Sequence, residues 1–193
     1  MACPPRASDG SGRSSGLGRG VVNPPVTTSA WLALIVLSVL FYSAVAGSTR
    51  ADIVGVASVI DADTIEIHGQ RIRLHGIDAP ESCQTCIDAS GQTWRCGQRA
   101  ALALQDLIGR RTVSCAERDV DRYGRIVAQC SVDGADINEW LVSQGLALAY
   151  RRYSKAYVSA EAAAAASQRG MWAGSFLAPW DWRRENGSCG RRR

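Results

Sequence analysis

The segment Ile60–Glu81, IDADTIEIHGQRIRLHGIDAPE, decides the fold of this chain of 193 residues. Residues 64–67 and 70–77 alternate apolar with polar side chains, which predicts two short strands. The dipeptide His68-Gly69 lies between them and is typical of a two-residue hairpin turn. We therefore expect the segment to fold back on itself as an antiparallel pair of strands. The pattern does not fix the pairing register, which could shift by one residue.

Polar residues of the same segment suit the chemistry of a phosphodiester. Asp63, Asp78 and Glu81 supply carboxylates, the hard oxygen ligands that divalent cations take. Arg73 supplies a guanidinium, which binds phosphate through paired hydrogen bonds. A two-residue turn would place Asp63 near Leu74, so that both aspartates lie toward one end of the sheet.

The remaining pattern predicts a small β-barrel with helices. Alternating or β-branched runs predict further strands over residues 52–60, 112–116 and 126–132. Apolar stripes and helix propensity predict helices over residues 96–108, 137–144 and 159–168. Five short strands interrupted by three helices favour an α+β fold, a five-stranded Greek-key barrel of the oligonucleotide-binding (OB) type. A generic α+β sandwich fits the pattern nearly as well.

Composition separates the first 47 residues from the folded domain. Residues 1–29 are rich in Gly, Ser and Pro, and residues 30–46 carry no charge. This run ends in Ala44-Val45-Ala46, a small-x-small pattern typical of a signal-peptidase site. We expect residues 1–47 to be a leader that engages the membrane or the export machinery, giving a periplasmic or extracellular protein. The alternative is an uncleaved membrane anchor formed by residues 30–46.

The overall charge does not decide the function. The chain has a formal net charge of +4, but without residues 1–47, which hold three arginines and one aspartate, the net charge is only +2. A nucleic-acid partner must therefore be argued from local placement of charge. We expect one folded domain over residues 48–175, a tryptophan-rich and basic tail over residues 176–193, and a monomer.

Seven cysteines are typical of an exported protein, because disulfides persist in oxidising compartments. Cys3 falls in the leader. If the segment between Cys115 and Cys130 is a hairpin, its centre falls at Arg122–Tyr123. The two cysteines would then lie opposite each other, within disulfide range.

The other cysteines leave alternatives open. Cys86 and Cys96 could close a small loop, and Cys83 and Cys189 would then be paired with each other or free. The competing interpretation is a metal cluster built on the Cys83-x-x-Cys86 motif. It lacks a second pair of this spacing.

Hydrolysis of a phosphodiester needs a cation, a base and positive charge near the phosphate. Asp63 and Asp78 are candidate ligands of the cation. Glu81 follows Asp78 by three residues and is the candidate base for the attacking water. Arg73 and Arg125 are candidates to stabilise the charge that gathers on the phosphate oxygens.

Each of these residues also has a plainer interpretation. Asp61 and its neighbour at position 63 could be ordinary turn acids. Arg73 could be a solvated residue of a half-exposed strand. Arg125 could pair with Asp119 or Asp121 across its own turn. The residues alone therefore support a polar cluster on a β scaffold, suited to a metal ion and phosphate.

Four motifs together resemble the staphylococcal nuclease (thermonuclease) family. They are VIDADT at Val59–Thr64, RLHGIDAPE at Arg73–Glu81, DRYGR at Asp121–Arg125 and NEWLVSQGLA at Asn138–Ala147. The resemblance runs from about Asp52 to Trp172 in the family's order and spacing. It implies a five-stranded OB barrel with three helices, and Ca²⁺-dependent hydrolysis of DNA and RNA that leaves 3′-phosphate ends.

The resemblance also implies a role for each acid of the site. Asp63 and Asp78 match the calcium carboxylates of the family. Ala79 stands where the family uses a backbone carbonyl ligand, usually from threonine, and the carbonyl survives this change. Glu81 matches the general base.

Basic and aromatic residues are carried over in the same way. Arg73 and Arg125 match the two arginines that bind phosphate and stabilise charge. Arg122, which replaces a lysine, and Tyr123 match substrate-binding positions. Tyr150 matches the first residue of the family's Tyr-x-Tyr pair, whereas the second tyrosine is ambiguous. The disulfides and the tryptophan-rich tail resemble an exported, disulfide-bearing branch.

Two other classes of function are compatible with the same fold. One is a catalytically silent module that binds nucleic acid or protein, and the other is a structural extracytoplasmic domain. Loss of catalysis normally shows as substitution of the metal acids or of the arginines, and none of these residues is substituted.

Overall fold

The computed structural model describes residues 52–189. The chain divides into two compact units, residues 1–48 and 49–193, and every described residue belongs to the second. The predicted leader and the alternative anchor therefore lie outside the described residues. None of the helices in the described part of the chain has the length and hydrophobicity that a membrane span requires.

The described residues form short strands and four α-helices. The strands are β1 (Ile53–Asp61), β2 (Thr64–Ile67), β3 (Gln70–Leu74), β4 (Ile77–Asp78), β5 (Cys86–Ile87), β6 (Thr93–Trp94), β7 (Thr112–Val120), β8 (Ile126–Val132), β9 (Ala135–Asp136) and β10 (Leu148–Ala149). The helices are α1 (Cys96–Ile108), α2 (Ile137–Ser143), α3 (Val158–Ala166) and α4 (Pro179–Asn186), with a 3₁₀ turn at Gly170–Ala173.

Strands β2 and β3 form the predicted hairpin. His68 and Gly69 adopt φ angles of 52° and 78°, and positive values at both central residues are what a type I′ turn requires. The amide of Leu74 donates to the carbonyl of Asp63 at 2.9 Å, which confirms the predicted neighbourhood of these residues. The turn therefore sets the register that the alternating pattern left open.

Five strands close into a barrel. They neighbour one another in the order β3, β2, β1, β7, β8, and a parallel pairing of β3 with β8 completes the circle. The other pairings between these strands are antiparallel. This closed barrel confirms the predicted OB architecture and makes the sandwich alternative wrong.

Some element boundaries differ from the sequence prediction. Strand β3 ends at Leu74 rather than near Ile77, because Gly76 takes a φ of 73° and turns the chain. Strand β4 then pairs with β10 outside the barrel sheet. The described residues hold four α-helices instead of three, and the additional one, α4, lies in the segment expected to be a tail.

The barrel core is apolar and is covered by helices. Its largest fully buried side chains include Ile65, Ile67, Ile72, Leu104 and Leu141. The buried polar residue Asn138 of α2 donates from Nδ2 to the carbonyl of His75 at 2.9 Å and accepts from the amide of Cys130 at 3.2 Å. These bonds hold α2 against the connection that leads into β4.

Three disulfides link the described residues: Cys83–Cys189, Cys86–Cys96 and Cys115–Cys130. The structure thus forms the cross-strand pair and the small-loop pair that the sequence indicated. It also pairs the two cysteines whose state was left open. A metal cluster on Cys83-x-x-Cys86 is therefore wrong, because both thiols are in disulfides.

Candidate active site

Two buried aspartates and one arginine form the centre of the site. Asp63 lies between β1 and β2, Asp78 lies on β4, and Arg73 lies on β3. A single nitrogen of Arg73, Nη2, is 2.7 Å from Asp78 Oδ1 and 3.1 Å from Asp63 Oδ2. The structure thus brings together the two predicted metal ligands, close enough to share one positive charge.

Burial governs the charge state of this cluster. Asp78 is fully buried, and burial raises its pKa even though Arg183 and Arg73 oppose the shift. Burial also disfavours the charged form of Arg73, but Asp63 and Asp78 outweigh it and raise the pKa of the guanidinium. The arginine therefore stays charged and compensates acids that are removed from water.

The donor set fits a hard divalent cation. Within residues 52–189, no group of three or more His, Cys, Asp or Glu side chains is arranged to hold a metal ion. The candidate ligands are instead the carboxylates of Asp63 and Asp78 with the backbone of Ala79, whose amide donates to Asp63 Oδ2 at 3.3 Å. Two carboxylates that lie close enough to share one cationic nitrogen would be a suitable oxygen pair for such an ion.

Glu81 is held by its backbone at the start of the next loop. Its amide donates to Oε1 of the buried Gln84 at 3.3 Å, and its carbonyl accepts from the amide of Gln84 at 2.7 Å. The first turn of α1 packs directly on this backbone, since a Cβ on Gly97 would lie 1.7 Å from the Glu81 carbonyl oxygen. The glycine is therefore required for the close approach that places Glu81.

Asp61 is an acid of the cleft that the sequence did not single out. It ends β1, lines the same cleft as Asp63 and Glu81, and accepts from the amide of Ala62 at 2.9 Å. Burial raises the pKa of Asp61 to about 6, and the nearby charges of Asp63 and Glu81 add to the shift. The sequence showed it only as a turn acid, because its burial depends on the fold.

Arg125 comes from the turn between β7 and β8. The carboxylate of Asp121 accepts from Nε of Arg125 at 2.7 Å and from the amides of Tyr123 and Arg125 at 2.9 Å each. Partial burial acts against ionisation, but these hydrogen bonds hold the pKa of Asp121 below its ordinary value. The pairing with Asp121 that the sequence offered as an alternative is therefore present.

The same turn presents a basic and aromatic surface to the cleft. Tyr123 is 68% exposed, and the guanidinium carbons of Arg122 and Arg125 lie 4.8 and 5.7 Å from its ring centre. The parallel pairing of β3 with β8 sets Ile126, which follows Arg125, opposite Ile72, which precedes Arg73. Both predicted phosphate-binding arginines line one cleft, although Arg125 is bound to its own turn.

Tyr150 lies at the end of β10 and also lines the cleft. Its ring stacks on Trp180 with 5.5 Å between centroids and 5° between planes. Tyr153 contacts Tyr150 edge-on at 5.0 Å and is 63% exposed, so it is the second tyrosine of this wall. The stacking partner Trp180 belongs to α4, outside all four sequence motifs.

Arg183 of α4 is the main residue of the site that sequence reasoning missed. Its Nη2 is 2.6 Å from Asp78 Oδ2, and its Nη1 is 3.1 Å from Glu81 Oε1. Burial disfavours the charged form of Arg183, but Asp78 and Glu81 raise its pKa. A pairing of Cys83 with Cys189 was the available signal, since it would bring this segment close to Glu81.

Fold and site together define a class: an OB barrel that carries buried carboxylates bridged by arginines in a basic, tyrosine-lined cleft. The family model described as "Staphylococcal nuclease homologue" matches residues 71–174. The chain therefore belongs to the staphylococcal nuclease homologue family, as its motifs predicted. Family membership supports a nuclease activity on nucleic acid.

Curated relatives differ in the functions their names carry. The chain is 41% identical over 140 residues to succinoglycan biosynthesis protein ExoI of Rhizobium meliloti (strain 1021), covering 71% of this chain and 73% of that protein. It is 35% identical over 147 residues to micrococcal nuclease of Shigella flexneri, covering 67% and 79%. It is 34% identical over 142 residues to an uncharacterized endonuclease of Escherichia coli, covering 69% and 86%.

Proposed function

We propose that this protein is an exported, Ca²⁺-dependent nuclease that hydrolyses phosphodiester bonds of DNA and/or RNA and leaves 3′-phosphate ends. The observation that carries the proposal is the single Arg73 nitrogen shared by Asp63 and Asp78, close to a carboxylate at Glu81. Asp63 and Glu81 line a cleft that also holds Arg125 and exposed tyrosine rings, and Asp78 is fully buried behind them; such a cleft suits a phosphate chain with stacked bases.

The proposed metal ligands are Asp63, Asp78 and the carbonyl of Ala79. When bound, the ion supplies Lewis acidity and positive charge beside the phosphate. Glu81 orients the attacking water and accepts its proton on a carboxylate oxygen. Arg73 donates hydrogen bonds to the phosphate oxygens as charge builds on them.

The remaining residues bind and align the substrate. Arg125 stabilises the same developing charge from the β7–β8 turn, and Asp121 fixes the orientation of its guanidinium. Arg122 attracts the phosphate chain, while Tyr123 and Tyr150 provide faces for bases or sugars. Water adds to phosphorus, the bond from phosphorus to the 5′-oxygen breaks, and that oxygen takes up a proton. The products are a 3′-phosphate and a 5′-hydroxyl.

The remaining parts of the proposal concern location and assembly. Three disulfides support an oxidising compartment, periplasmic or extracellular. Residues 1–47 would engage the membrane or export machinery as a leader, with a membrane anchor at residues 30–46 as the alternative. Residues 48–175 would form the OB-fold domain of a monomer, followed by the tryptophan-rich and basic tail of residues 176–193. N-terminal sequencing of the protein from fractionated cells separates a cleaved leader from an anchor.

Cleavage of plasmid DNA and of RNA by the disulfide-intact protein, in Ca²⁺ and in chelator, tests the proposal. We expect Ca²⁺-dependent cleavage with phosphate at the 3′ ends. The variant Glu81→Gln should lower the rate by about 10²–10⁴-fold and Arg125→Ala by about 10²–10³-fold, each with a native circular dichroism spectrum. Glu66→Gln is the matched control, because Glu66 is a half-buried acid paired with Arg71 outside the cleft.

The test also addresses a catalytically silent binding module. The observation that favours it is that both oxygens of Asp78 are bound by arginines. Binding of oligonucleotide without cleavage in Ca²⁺ would replace the nuclease proposal with this one. Cleavage that continues in excess chelator would contradict the metal dependence.

A further inference from the structure

Arg183 bridges the two acids to which the proposed function gives different tasks. Its guanidinium binds Asp78, a proposed metal ligand, through Nη2 and Glu81, the proposed base, through Nη1. Asp78 is fully buried and Arg183 is about one quarter exposed, so water screens their interaction weakly. One planar group therefore fixes the distance and the relative orientation of two carboxylates.

Three further contacts fix α4, which carries Arg183, on the cleft. Cys189, beyond the end of the helix, is bonded to Cys83, two residues from Glu81. Gln84, whose Oε1 accepts from the Glu81 amide, also donates from Nε2 to the carbonyl of Leu177 at 2.8 Å. Within α4 itself, Trp180 stacks on Tyr150. The helix is thus tied to both sides of the site.

We infer that Arg183 is a positioning residue of the active site, delivered by α4 and secured by the Cys83–Cys189 bond. It holds Glu81 in the orientation that accepts a proton, while its charge, close to Asp78, weakens binding of the cation. Residues after position 174, outside the matched family domain, therefore complete the site. The role of Glu81 in this inference rests on the proposed function, but the contacts of Arg183 with Asp78 and Glu81 are independent of it.

The charge and the geometry of Arg183 can be separated by two substitutions. Arg183→Gln removes the charge and the bridge, so we expect the Kd for Ca²⁺ to fall about three- to tenfold, by loss of repulsion. We expect kcat to fall about 10- to 100-fold, because Glu81 is no longer oriented. Arg183→Lys keeps the charge without the planar fork, so its Kd should stay within twofold of wild type while kcat is only partly restored.

Arg184→Gln is the matched control on the same helix. Arg184 is 73% exposed on its side chain and pairs with Asp181 at 2.9 Å, so it should change neither constant more than twofold. Ca²⁺ binding is measured by calorimetry and kcat on a fluorescent oligonucleotide, at saturating Ca²⁺. Unchanged kcat in Arg183→Gln would overturn the inference. So would faster cleavage with tighter Ca²⁺ binding, since Arg183 would then be an inhibitory counter-ion.

The role of the Cys83–Cys189 bond is tested by combining Cys83→Ser with Cys189→Ser, which leaves the other two disulfides in place. We expect kcat to fall several-fold, and Arg183→Gln to have a smaller effect in this background than in the wild type. Equal effects in both backgrounds would refute a role for the bond in positioning.

A measurement without activity separates this inference from the proposed function. In chelator, the effects of Arg183→Gln and Glu81→Gln on the folding equilibrium constant should be non-additive by more than fivefold, because each variant removes one charged member of the same ion pair. If the wild type binds Ca²⁺ but cleaves no nucleic acid, the proposed function fails while this coupling still tests the contact. Additive effects would show that Arg183 and Glu81 do not interact in solution, whether or not the protein is a nuclease.

Discussion

Replacement of Arg73 by methionine should show how much this arginine stabilises the two buried aspartates of the site. Arg73 is the guanidinium partner of Asp63 and one of two partners of Asp78, and these acids are 8% and 0% exposed on their side chains. Removal of one member of a buried ion pair costs about 3–5 kcal/mol, since the remaining charge has no compensation. Asp78 keeps Arg183, and Arg73 is itself 21% exposed, so the lower end applies.

We therefore expect Arg73→Met to lower the free energy of unfolding by about 3 kcal/mol in chelator at neutral pH. In saturating Ca²⁺ the loss relative to wild type should fall to about 1 kcal/mol, because the ion replaces the missing charge between the two carboxylates. The variant should accordingly bind Ca²⁺ more tightly than the wild type. A ligand that restores more folding stability to the variant must bind its folded state more tightly.

Urea unfolding of the disulfide-intact protein, in chelator and in Ca²⁺, measures both losses. Arg71→Met is the matched control on the same strand. Arg71 is 64% exposed and lies 3.9 Å from Glu66, so it should change stability by no more than about 0.5 kcal/mol in either condition. An equal loss for Arg73→Met with and without Ca²⁺ would refute a cation site shared by Asp63 and Asp78.

Substitutions at three other places in the fold test how the barrel supports the site. Asp121→Ala should lower the cleavage rate about 100-fold by releasing the β7–β8 turn. Asp121→Asn should lose less activity, because its side-chain oxygen can still accept from the two backbone amides. Equal rates for the two variants would contradict this positioning role. Replacing Cys115 and Cys130 by alanine should cost about 3 kcal/mol of stability by chemical denaturation, the chain-entropy value for a separation of 15 residues. It should also lower activity by loosening the turn, and unchanged cleavage would show that the turn holds without the bond. Asn138→Ala should cost about 2–4 kcal/mol in the same assay by leaving buried backbone groups without partners, and a loss below 1 kcal/mol would show that water replaces the amide.

The central hairpin and the acids beside it were predictable because local signals set them. The His68-Gly69 turn and the alternation around it place Asp63 beside Leu74, and no distant residue is needed for that result. The motif around Arg125 was equally local, since Asp121 closes the same turn four residues earlier.

The rest of the site depends on contacts that no local pattern encodes. Arg183 reaches Asp78 across 105 residues, and the helix that carries it has a proline start but no apolar stripe. The sequence therefore predicted only a tryptophan-rich and basic tail in this segment. Asp61 was missed for a related reason, because its raised pKa arises from burial and from neighbours assembled by the fold.

The Cys83–Cys189 bond implies that the contacts of the site are completed late in the folding of the protein. The bond joins residues 106 apart, so a chain that has formed its barrel still lacks its full set of site contacts until the C-terminal segment is synthesised. Thiols stay reduced in the cytosol, and the bond forms only where the surroundings are oxidising. For a nuclease exported as proposed, final assembly of the site would then take place outside the compartment that holds the cell's own genome.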